Sequence, residues 1–554
     1  MPIVPNIPLT DYTQYDCRVL MNGNPLPASF ELKSLSVKTA YQHITSTEIV
    51  FKQIPGLGGD AETMALLELG IDGMPLKVEA VKDLDTITLF DGLVARTKFT
   101  MTSAGVRLAV TGKTAAVRLS LNRKTETYTG LNDKEMIEQI ISNNGCEADL
   151  SGVAQQLMVI HKQFTKTGTT DWDFLNMRAE ANGCYVYTEG NKIILHDPAA
   201  PATPDARLGI VQGDFFSLNL EQDERKYRHK EHINSLDLSS LEAEQEAEDA
   251  DADVPGKFPQ GNIEHARYGF WNQMETGAVL NGITRRKKYS RRNGVVHLRP
   301  QLKAMPGFWL SISGMNDLVD GDYPVTGVLQ EFSEGSFSTH LQFGLSNLSY
   351  GEKFNIAQAP DHPVLMSAIV IQLDDDPDGI YRIKVKPSNW ADAQEPIWAR
   401  MATMYAGDGY GMMMYPEIDD EVVIGFFGHD LRYPVILGSM FSPNKPPASV
   451  PEDENYKKVW ISRNGMKWTW DDEKLVHEIS TPAGNTIILS EDSRKVSIAD
   501  QNGNEIELND QEIKISASMD VKISAGANLD LKGTMVKIES DGILMIKGAN
   551  VMIN

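Results

Sequence analysis

Residues 485–554 read NTIILSEDSRKVSIADQNGNEIELNDQEIKISASMDVKISAGANLDLKGTMVKIESDGILMIKGANVMIN, and the architecture follows from this segment. Pairs of apolar residues two positions apart recur every seven to ten residues, separated by Gly, Asn, Asp, Ser and Ala. Each pair predicts a short strand with one face turned inward, and the residues between pairs predict a bend. The predicted core pairs are Ile487/Leu489, Val496/Ile498, Ile506/Leu508, Ile513/Ile515, Val521/Ile523, Leu529/Leu531, Val536/Ile538, Leu544/Ile546 and Val551/Ile553.

A repeat of this length is too short for one chain to enclose a core. A single-chain parallel β-helix needs about twenty residues per coil, whereas about eight residues supply one wall and one corner. Three chains supply three walls and close a prism that has no free lateral sheet edge. The repeat therefore predicts an intertwined triple-stranded β-helix and a homotrimer. The alternative is an ordinary β-meander, which needs a second layer to cover its apolar face.

Composition excludes several classes of protein. The chain has 554 residues and a net charge of -24, which argues against nucleic-acid binding because a phosphate backbone requires Lys and Arg. The three cysteines, Cys17, Cys146 and Cys184, are too scattered for a disulfide framework or a zinc site, so we predict no metal and no cofactor. The first residues predict no signal peptide, and no apolar run is long enough for a membrane helix.

The sequence predicts a mainly β chain with minor α content, in four parts. Residues 1–355 are predicted to form a hub of two barrel-like subdomains, with an acidic insertion at about 241–257. Residues 361–442 are predicted to form an OB-fold barrel, and residues 443–484 a linker or neck. Residues 485–554 are predicted to form the needle.

Two helices are predicted in the hub from their caps. The first follows Asn132, with Glu135 completing a capping box, and the second follows Thr170.

The hub contains one strongly acidic and one strongly basic segment. LEAEQEAEDADADV, residues 241–254, has seven acidic and no aromatic residues and predicts a mobile surface insertion, with a functional acidic segment as the alternative. RRKKYSRR, residues 285–292, predicts a charged hairpin between two Asn-Gly turns, with a nucleic-acid or anion patch as the alternative.

The predicted barrel has five strands in about eighty residues. They are Leu365–Leu373, Ile380–Val385, Ile397–Met404, Glu421–Phe427 and Tyr433–Met440. The acidic run Asp374–Gly379 lacks the alternate-residue ligands and closing Glu of a calcium loop, so it predicts a hairpin turn.

Several motifs resemble one family. TTDWDFLNMRAEANGCYVY (169–187), DDDPDGIYRIKV (374–385) and PEIDDEVVIGFFGHD (416–430) are similar in order and spacing to motifs of VgrG, the spike of bacterial type VI secretion systems, and of hub-spike proteins of contractile phage tails and injection particles. FDG at Phe90–Gly92 is similar to an aromatic-x-glycine strand turn of that family.

The resemblance implies a machine part. Its hub would cap a hexameric inner-tube protein and contact baseplate proteins. Its needle would pierce a target envelope, holding a PAAR-type tip protein on Val551, Met552, Ile553 and Asn554 and carrying effectors. The protein would assemble in the bacterial cytoplasm and be ejected to the exterior or into a target cell.

Catalysis is not expected. The interval Ser442–Pro482 is too short for the lysozyme domain that some relatives carry, the sequence ends directly after the last apolar pair, and no HExxH, GxSxG or Walker pattern occurs. A cell-wall-degrading spike, or the same spike role in a phage tail or free injection particle, remains as an alternative.

Overall fold

The computed structural model describes residues 14–54, 73–102, 105–153, 155–199, 201–209, 215–223, 229–236, 243–248, 261–266, 273–316, 319–354, 365–390, 394–427 and 430–553. The chain divides into two compact units, Met1–Met440 and Phe441–Asn554. Strands dominate both, which confirms the mainly β fold class. No described helix is long and apolar enough to cross a bilayer.

The hub strands, in chain order, are β1 Asp16–Met21, β2 Asn24–Pro25, β3 Phe30–Ala40, β4 Ser46–Gln53, β5 Pro75–Lys82, β6 Asp85–Thr102, β7 Gly105–Lys113, β8 Arg123–Asn132, β9 Glu147–Asp149, β10 Ile160–Thr170, β11 Tyr185–Glu189, β12 Lys192–His196, β13 Ala206–Gly209, β14 Phe215–Gln222, β15 His229–Leu236, β16 Ala243–Glu248, β17 Gly261–Ala266, β18 Arg292–Leu298, β19 Trp309–Ser313, β20 Gly321–Ser333 and β21 Ser336–Phe343. The helices are α1 Asp133–Asn143, α2 Asp171–Ala181, α3 Gln273–Ser290 and α4 Tyr350–Lys353, with a 3-10 turn at Ala115–Ser120.

One sheet organises the hub. Its thirteen strands run in the order β14-β18-β21-β20-β3-β4-β7-β6-β5-β1-β2, with β19 and β13 branching from β20. Ile49, Phe51 and Leu108 anchor one hydrophobic core on this sheet, and Val296 and Phe343 anchor another. These two cores therefore lie on one continuous sheet, and the division of the hub into two barrel-like subdomains stays a prediction. Phe90–Gly92 lies inside β6, so its assignment as a strand turn was wrong.

Both predicted hub helices are present with the predicted caps. Asn132 Oδ1 accepts the backbone N–H of Glu135 at 2.9 Å, and Glu135 Oε2 accepts that of Asn132 at 3.0 Å, which completes the capping box of α1. Thr170 Oγ1 accepts the backbone N–H of Asp173 at 3.1 Å and starts α2. Each helix turns its apolar side chains into a third core, where Ile137 and Leu175 are fully buried.

The two charged segments differ from their predictions. The basic run 285–292 is not a hairpin, because it forms the last turns of α3 and the start of β18. Its cations pair inside the hub, where Arg286 NH1 lies 3.3 Å from a carboxylate oxygen of Glu180 and Lys287 pairs with Glu231. Part of the acidic segment is also ordered as a strand, since β16 pairs antiparallel with β15. The rest of the acidic insertion lies outside the described residues.

The barrel closes as predicted. Its strands are β22 Leu365–Gln372, β23 Ile383–Pro387, β24 Ile397–Met401, β25 Ala406–Gly407, β26 Tyr410–Gly411, β27 Glu421–Phe426 and β28 Pro434–Ser439. Five of them close in the order β22-β23-β24-β28-β27 around a core that includes Val370, Val385 and Ile424. In the 374–379 turn, Asp376 Oδ1 accepts a hydrogen bond from Arg382 NH2 at 2.6 Å. The carboxylate that would bind the ion in a calcium loop is therefore paired with an arginine.

The second unit is an antiparallel meander. Its strands are β29 Lys457–Ile461, β30 Lys467–Asp471, β31 Val476–Ser480, β32 Thr486–Ser490, β33 Lys495–Ala499, β34 Glu505–Leu508 and β35 Ile513–Ser516, each paired with the next. Three of these strands lie in residues 443–484, so that segment is part of the sheet rather than a linker or neck. Residues 517–553 form no strand within the described chain.

Candidate trimer interface and tip surface

The register of the meander places the predicted needle core on one face. Directly opposed residues form two columns, Ile479-Ile487-Ile498-Ile506-Ile515 and His477-Leu489-Val496-Leu508-Ile513. Except for His477, the side chains of both columns are 38% to 70% exposed in the single chain. Such cross-strand contacts stabilise the sheet, but they leave its whole apolar face open to a partner.

The opposite face is mostly polar. Its column runs Glu478-Ile488-Ser497-Glu507-Lys514. Lys495 Nζ lies 3.2 Å from Glu507 Oε2 on this side. A sheet with one apolar and one charged face buries the first and leaves the second in water.

The turns that connect these strands repeat with the same geometry. Gly465, Gly484 and Gly503 recur every 19 residues, each with a positive φ that glycine adopts without strain. Asn485 Oδ1 accepts the backbone N–H of Gln501 at 3.2 Å, and Asn504 Oδ1 accepts that of Ser518 at 3.0 Å. Each of these asparagines therefore ties its turn to the chain beyond the next hairpin and fixes the register of the apolar columns.

Asp500 fixes one turn through its carboxylate. It accepts the backbone N–H groups of Asn504 and Asn502 at 2.9 Å each, and with the Asn504 and Asn502 side-chain amides these bonds lower the pKa of Asp500 to about 2.

The first strands of the meander carry an aromatic cluster that sequence reasoning missed. The rings of Trp468 and Trp470 stack with centroids 4.8 Å apart, and the rings of Trp470 and His477 with centroids 5.4 Å apart. The ring of Trp460 meets that of Trp468 edge to face at 5.4 Å. These residues continue the same two columns upstream. The alternation in KWTWD, residues 467–471, is a period-two signal that predicts a strand.

Within one chain, the structure does not bring the later core residues together. Val521, Ile523, Leu529, Leu531, Val536, Ile538, Leu544 and Ile546 are 54% to 68% exposed, and residues 517–553 have no strand pairing within the described chain. At the predicted tip, Val551 is 52% exposed, Met552 92% and Ile553 89%, while Asn554 lies outside the described residues.

In the hub, the DWDFLNMR signature builds a buried ionic cluster. Arg178 of α2 donates from Nε and NH2 to the two carboxylate oxygens of Asp133 at 2.7 Å each, and its guanidinium lies 4.6 Å from the ring centroid of Phe164. Burial alone would raise the pKa of Asp133, but the charge of Arg178 and hydrogen bonds from His161 and Arg178 hold it well below its usual range.

His161 links this cluster to the barrel. Its Nε2 lies 3.2 Å from Asp133 Oδ2, and its Nδ1 lies 3.4 Å from Arg432 NH1. Arg178 NH2 lies 3.1 Å from the same Nε2, so the imidazole is held between two arginines and a carboxylate. Among the described residues, no group of three or more His, Cys, Asp or Glu is arranged to hold a metal ion.

Comparison with known proteins places these features in a family. Residues 12–334 match the family described as the Alg8 N-terminal domain. The chain belongs to this family. Beyond the Alg8 N-terminal domain, residues 366–441 match the type VI secretion system/phage-baseplate injector OB domain, and residues 477–545 match the phage baseplate V C-terminal trimerisation domain.

Individual proteins are also similar to this chain, one in sequence over a short segment and others in fold. Residues of the chain are 35% identical over 60 positions to the actin cross-linking toxin VgrG1 of Vibrio cholerae, which is 11% of this chain and 6% of that protein, so the chain matches a small part of the length of this relative. A chain of the lidless PdpA-VgrG complex has a similar fold, with a TM-score of 0.53 at 9% identity over 91% of this chain and 98% of that one. The half-lidded Francisella complex gives 0.52 at 9% identity, covering 91% and 87%.

These matches confirm the predicted resemblance to VgrG and to hub-spike proteins of contractile phage tails. Two segments of the chain, residues 366–441 and 477–545, are thus similar to domains of type VI secretion and phage-baseplate proteins.

Proposed function

We propose that three copies of this chain form the hub and spike of a contractile injection machine, with the three tails sharing one apolar interior. The observation that carries the proposal is the two-columned apolar face of the meander, exposed in the single chain and backed by a polar face. At about 25 cal/mol per Å² of apolar surface, covering such a face is a large driving force for association. The match of residues 477–545 to a trimerisation domain supports three as the number of copies.

Continuation of the apolar pairs through residues 517–553 supports the same proposal. Backbone N–H and C=O groups away from water need partners, and in this segment the described chain offers no strand pairing of its own. Two other copies supply the missing walls and hydrogen bonds, which gives an intertwined triple-stranded β-helix. A prism without lateral edges resists unzipping and transmits axial force when a sheath contracts behind it.

Two neighbouring isoleucines provide a matched test. Ile487→Asp places a charge in the apolar column, whereas Ile488→Asp makes the same change on the opposite face. We expect light scattering to give a trimer mass for the wild type and Ile488→Asp, and loss of the trimer for Ile487→Asp. A wild-type chain that is folded and monomeric at low micromolar concentration would refute the proposal.

We further propose that residues 551–554 hold a PAAR-type tip protein, and that effectors and baseplate proteins bind elsewhere on the trimer while the hub caps a hexameric tube. Three copies of exposed Val551, Met552 and Ile553 make an apolar patch of the kind that marks a binding surface. Deleting residues 551–554 should abolish capture of a PAAR-type protein from the same genome and leave the trimer mass intact. Capture at the wild-type level by the truncated trimer rules out this tip assignment.

The proposed role is mechanical, with assembly in the bacterial cytoplasm followed by ejection. A zymogram of the purified protein on peptidoglycan tests the absence of catalysis, since a cleared band would favour the cell-wall-degrading spike. A phage tail or a free injection particle is a different setting for the same role.

A further inference from the structure

The barrel carries an apolar projection that its own core does not use. This projection, here called the Met/Tyr hairpin, is residues 402–415, ATMYAGDGYGMMMY. Its exposed side chains are Met404 (82%), Tyr405 (63%), Tyr410 (60%), Met413 (81%), Met414 (59%) and Tyr415 (45%). The barrel core is complete without it, because Val370, Val385 and Ile424 are fully buried by other strands.

Although most of its apolar side chains are exposed, the Met/Tyr hairpin has a defined backbone conformation. Strands β25 and β26 pair antiparallel, Met412 donates its backbone N–H to the Tyr405 carbonyl at 2.8 Å, and Thr403 Oγ1 donates to the Met412 carbonyl at 2.9 Å. The rings of Tyr405 and Tyr410 lie 5.5 Å apart. Gly411 has a φ of +141°, and a Cβ there would lie 2.6 Å from the Tyr405 carbonyl oxygen. The backbone therefore presents the apolar side chains outward in a preformed arrangement, which lowers the entropic cost of docking.

The charge of the hairpin indicates the kind of surface it fits. Between Arg400 and Glu417 its only charged residue is Asp408, in a chain whose net charge is -24. An apolar, nearly uncharged projection gains little from electrostatic attraction, so its contact depends on burial of methionine and tyrosine. Methionine adapts its shape to the surface it meets, and tyrosine adds large contact area at low entropic cost.

We propose that the Met/Tyr hairpin docks on the neighbouring copy of this chain within the trimer. This inference rests on the proposed trimer. Three joined tails tether three barrels, each through residues 440–456, which cannot span more than about 60 Å. Such tethering raises the local concentration of one barrel around another to the millimolar range. In a ring of three, each hairpin meets a different surface of the next copy, so the contacts close the ring and leave no hairpin exposed.

The test uses the full-length protein with a photo-crosslinking amino acid at position 413, co-expressed with a tagged wild-type copy. We expect a covalent product between tagged and untagged chains, in a yield several-fold above that from the same probe at Leu84, which is fully exposed in the hub. In a second measurement, Met404→Asp/Met413→Asp should lower the temperature at which the trimer dissociates, whereas Met158→Asp, at another exposed methionine, should not.

The outcomes separate this inference from the proposed function. A trimer by light scattering, with a cross-link yield at position 413 no higher than at position 84 and an unchanged dissociation temperature, overturns docking between copies and leaves the trimer standing. Cross-links from position 413 only to other proteins overturn it as well. A monomeric wild-type protein overturns both.

Discussion

Arg432 NH1 donates to Glu275 Oε1 at 2.8 Å, a bond that joins the barrel directly to helix α3 of the hub. The Arg432 guanidinium also lies 4.9 Å from the ring centroid of Phe164, the same ring that Arg178 approaches. Burial would lower the pKa of Arg432, but Asp430 and Glu275 hold it above its usual value. Hub and barrel are thus connected through a buried charge as well as through the chain.

Replacing Arg432 with Ala should therefore weaken this unit. Removing one partner of a buried ion pair costs about 3 kcal/mol, and we expect a loss of that size in the free energy of unfolding of residues 1–440. Urea denaturation followed by tryptophan fluorescence measures it. Arg123→Ala, at an exposed arginine of β8, is the control, and an equal effect of both changes would contradict a special role for Arg432.

The barrel should lose stability in acid through Asp376. Burial raises its pKa, but hydrogen bonds from the Arg382 side chain and from the backbone bring it down to about 2, against about 3.9 in an unfolded chain. A carboxyl with a depressed folded-state pKa contributes stability that is complete above about pH 4 and is lost as the pH falls toward 2. The stability difference between wild type and Asp376→Asn should shrink over that range in acid denaturation curves. Asp374→Asn, exposed in the same turn, should show little difference at any pH.

Gly92 should tolerate no side chain. A Cβ there would lie 2.4 Å from the Lys113 carbonyl oxygen and 2.7 Å from the Phe90 ring. Overpacking of this kind costs about 1–3 kcal/mol, so Gly92→Ala should lower the melting temperature of the hub in calorimetry. Gly152→Ala has open space around its new methyl group and serves as the matched control. Identical melting temperatures for the two variants would show that β6 relaxes around the substitution.

The capping box of α1 should control local opening of that helix. Asn132→Ala removes the acceptor for the Glu135 N–H and should cost about 1 kcal/mol. Hydrogen exchange of the first-turn amides should then be about fivefold faster, while Asn132→Asp keeps an acceptor and should stay near the wild-type rate. Unchanged exchange in the alanine variant would mean that packing of Met136 and Ile137, rather than the cap, holds the helix end.

Local signals predicted some elements well. Asn132 and Thr170 carry their cap chemistry in the sequence, so α1 and α2 begin where predicted. The barrel strands alternate regularly between turns rich in Gly and Asp, which is why the closed barrel was predicted almost strand by strand.

Helix α3 was missed because its decisive contact is tertiary. Asn281–Gly282 has the sequence of a turn, yet Gly282 lies within the helix. A Cβ on Gly282 would lie 3.1 Å from both the Glu180 carbonyl oxygen and Gly183, so the glycine permits close packing of α3 against the end of α2. A single sequence contains no sign of that approach.

The tail was ambiguous for a different reason. Apolar pairs at i and i+2 define which face of a strand is buried, but they are equally compatible with return by a hairpin or with passage around another chain. In the structure, residues 457–516 return by hairpins, and the apolar face predicted from the pairs is the one that results.

The evenly spaced glycine turns make the meander modular. Inserting or removing one complete module of two strands and two turns would bring every later apolar side chain back to the same side of the sheet, whereas gaining or losing a single residue would invert them all. The meander can therefore lengthen or shorten only by whole modules, and the number of hairpins sets its length.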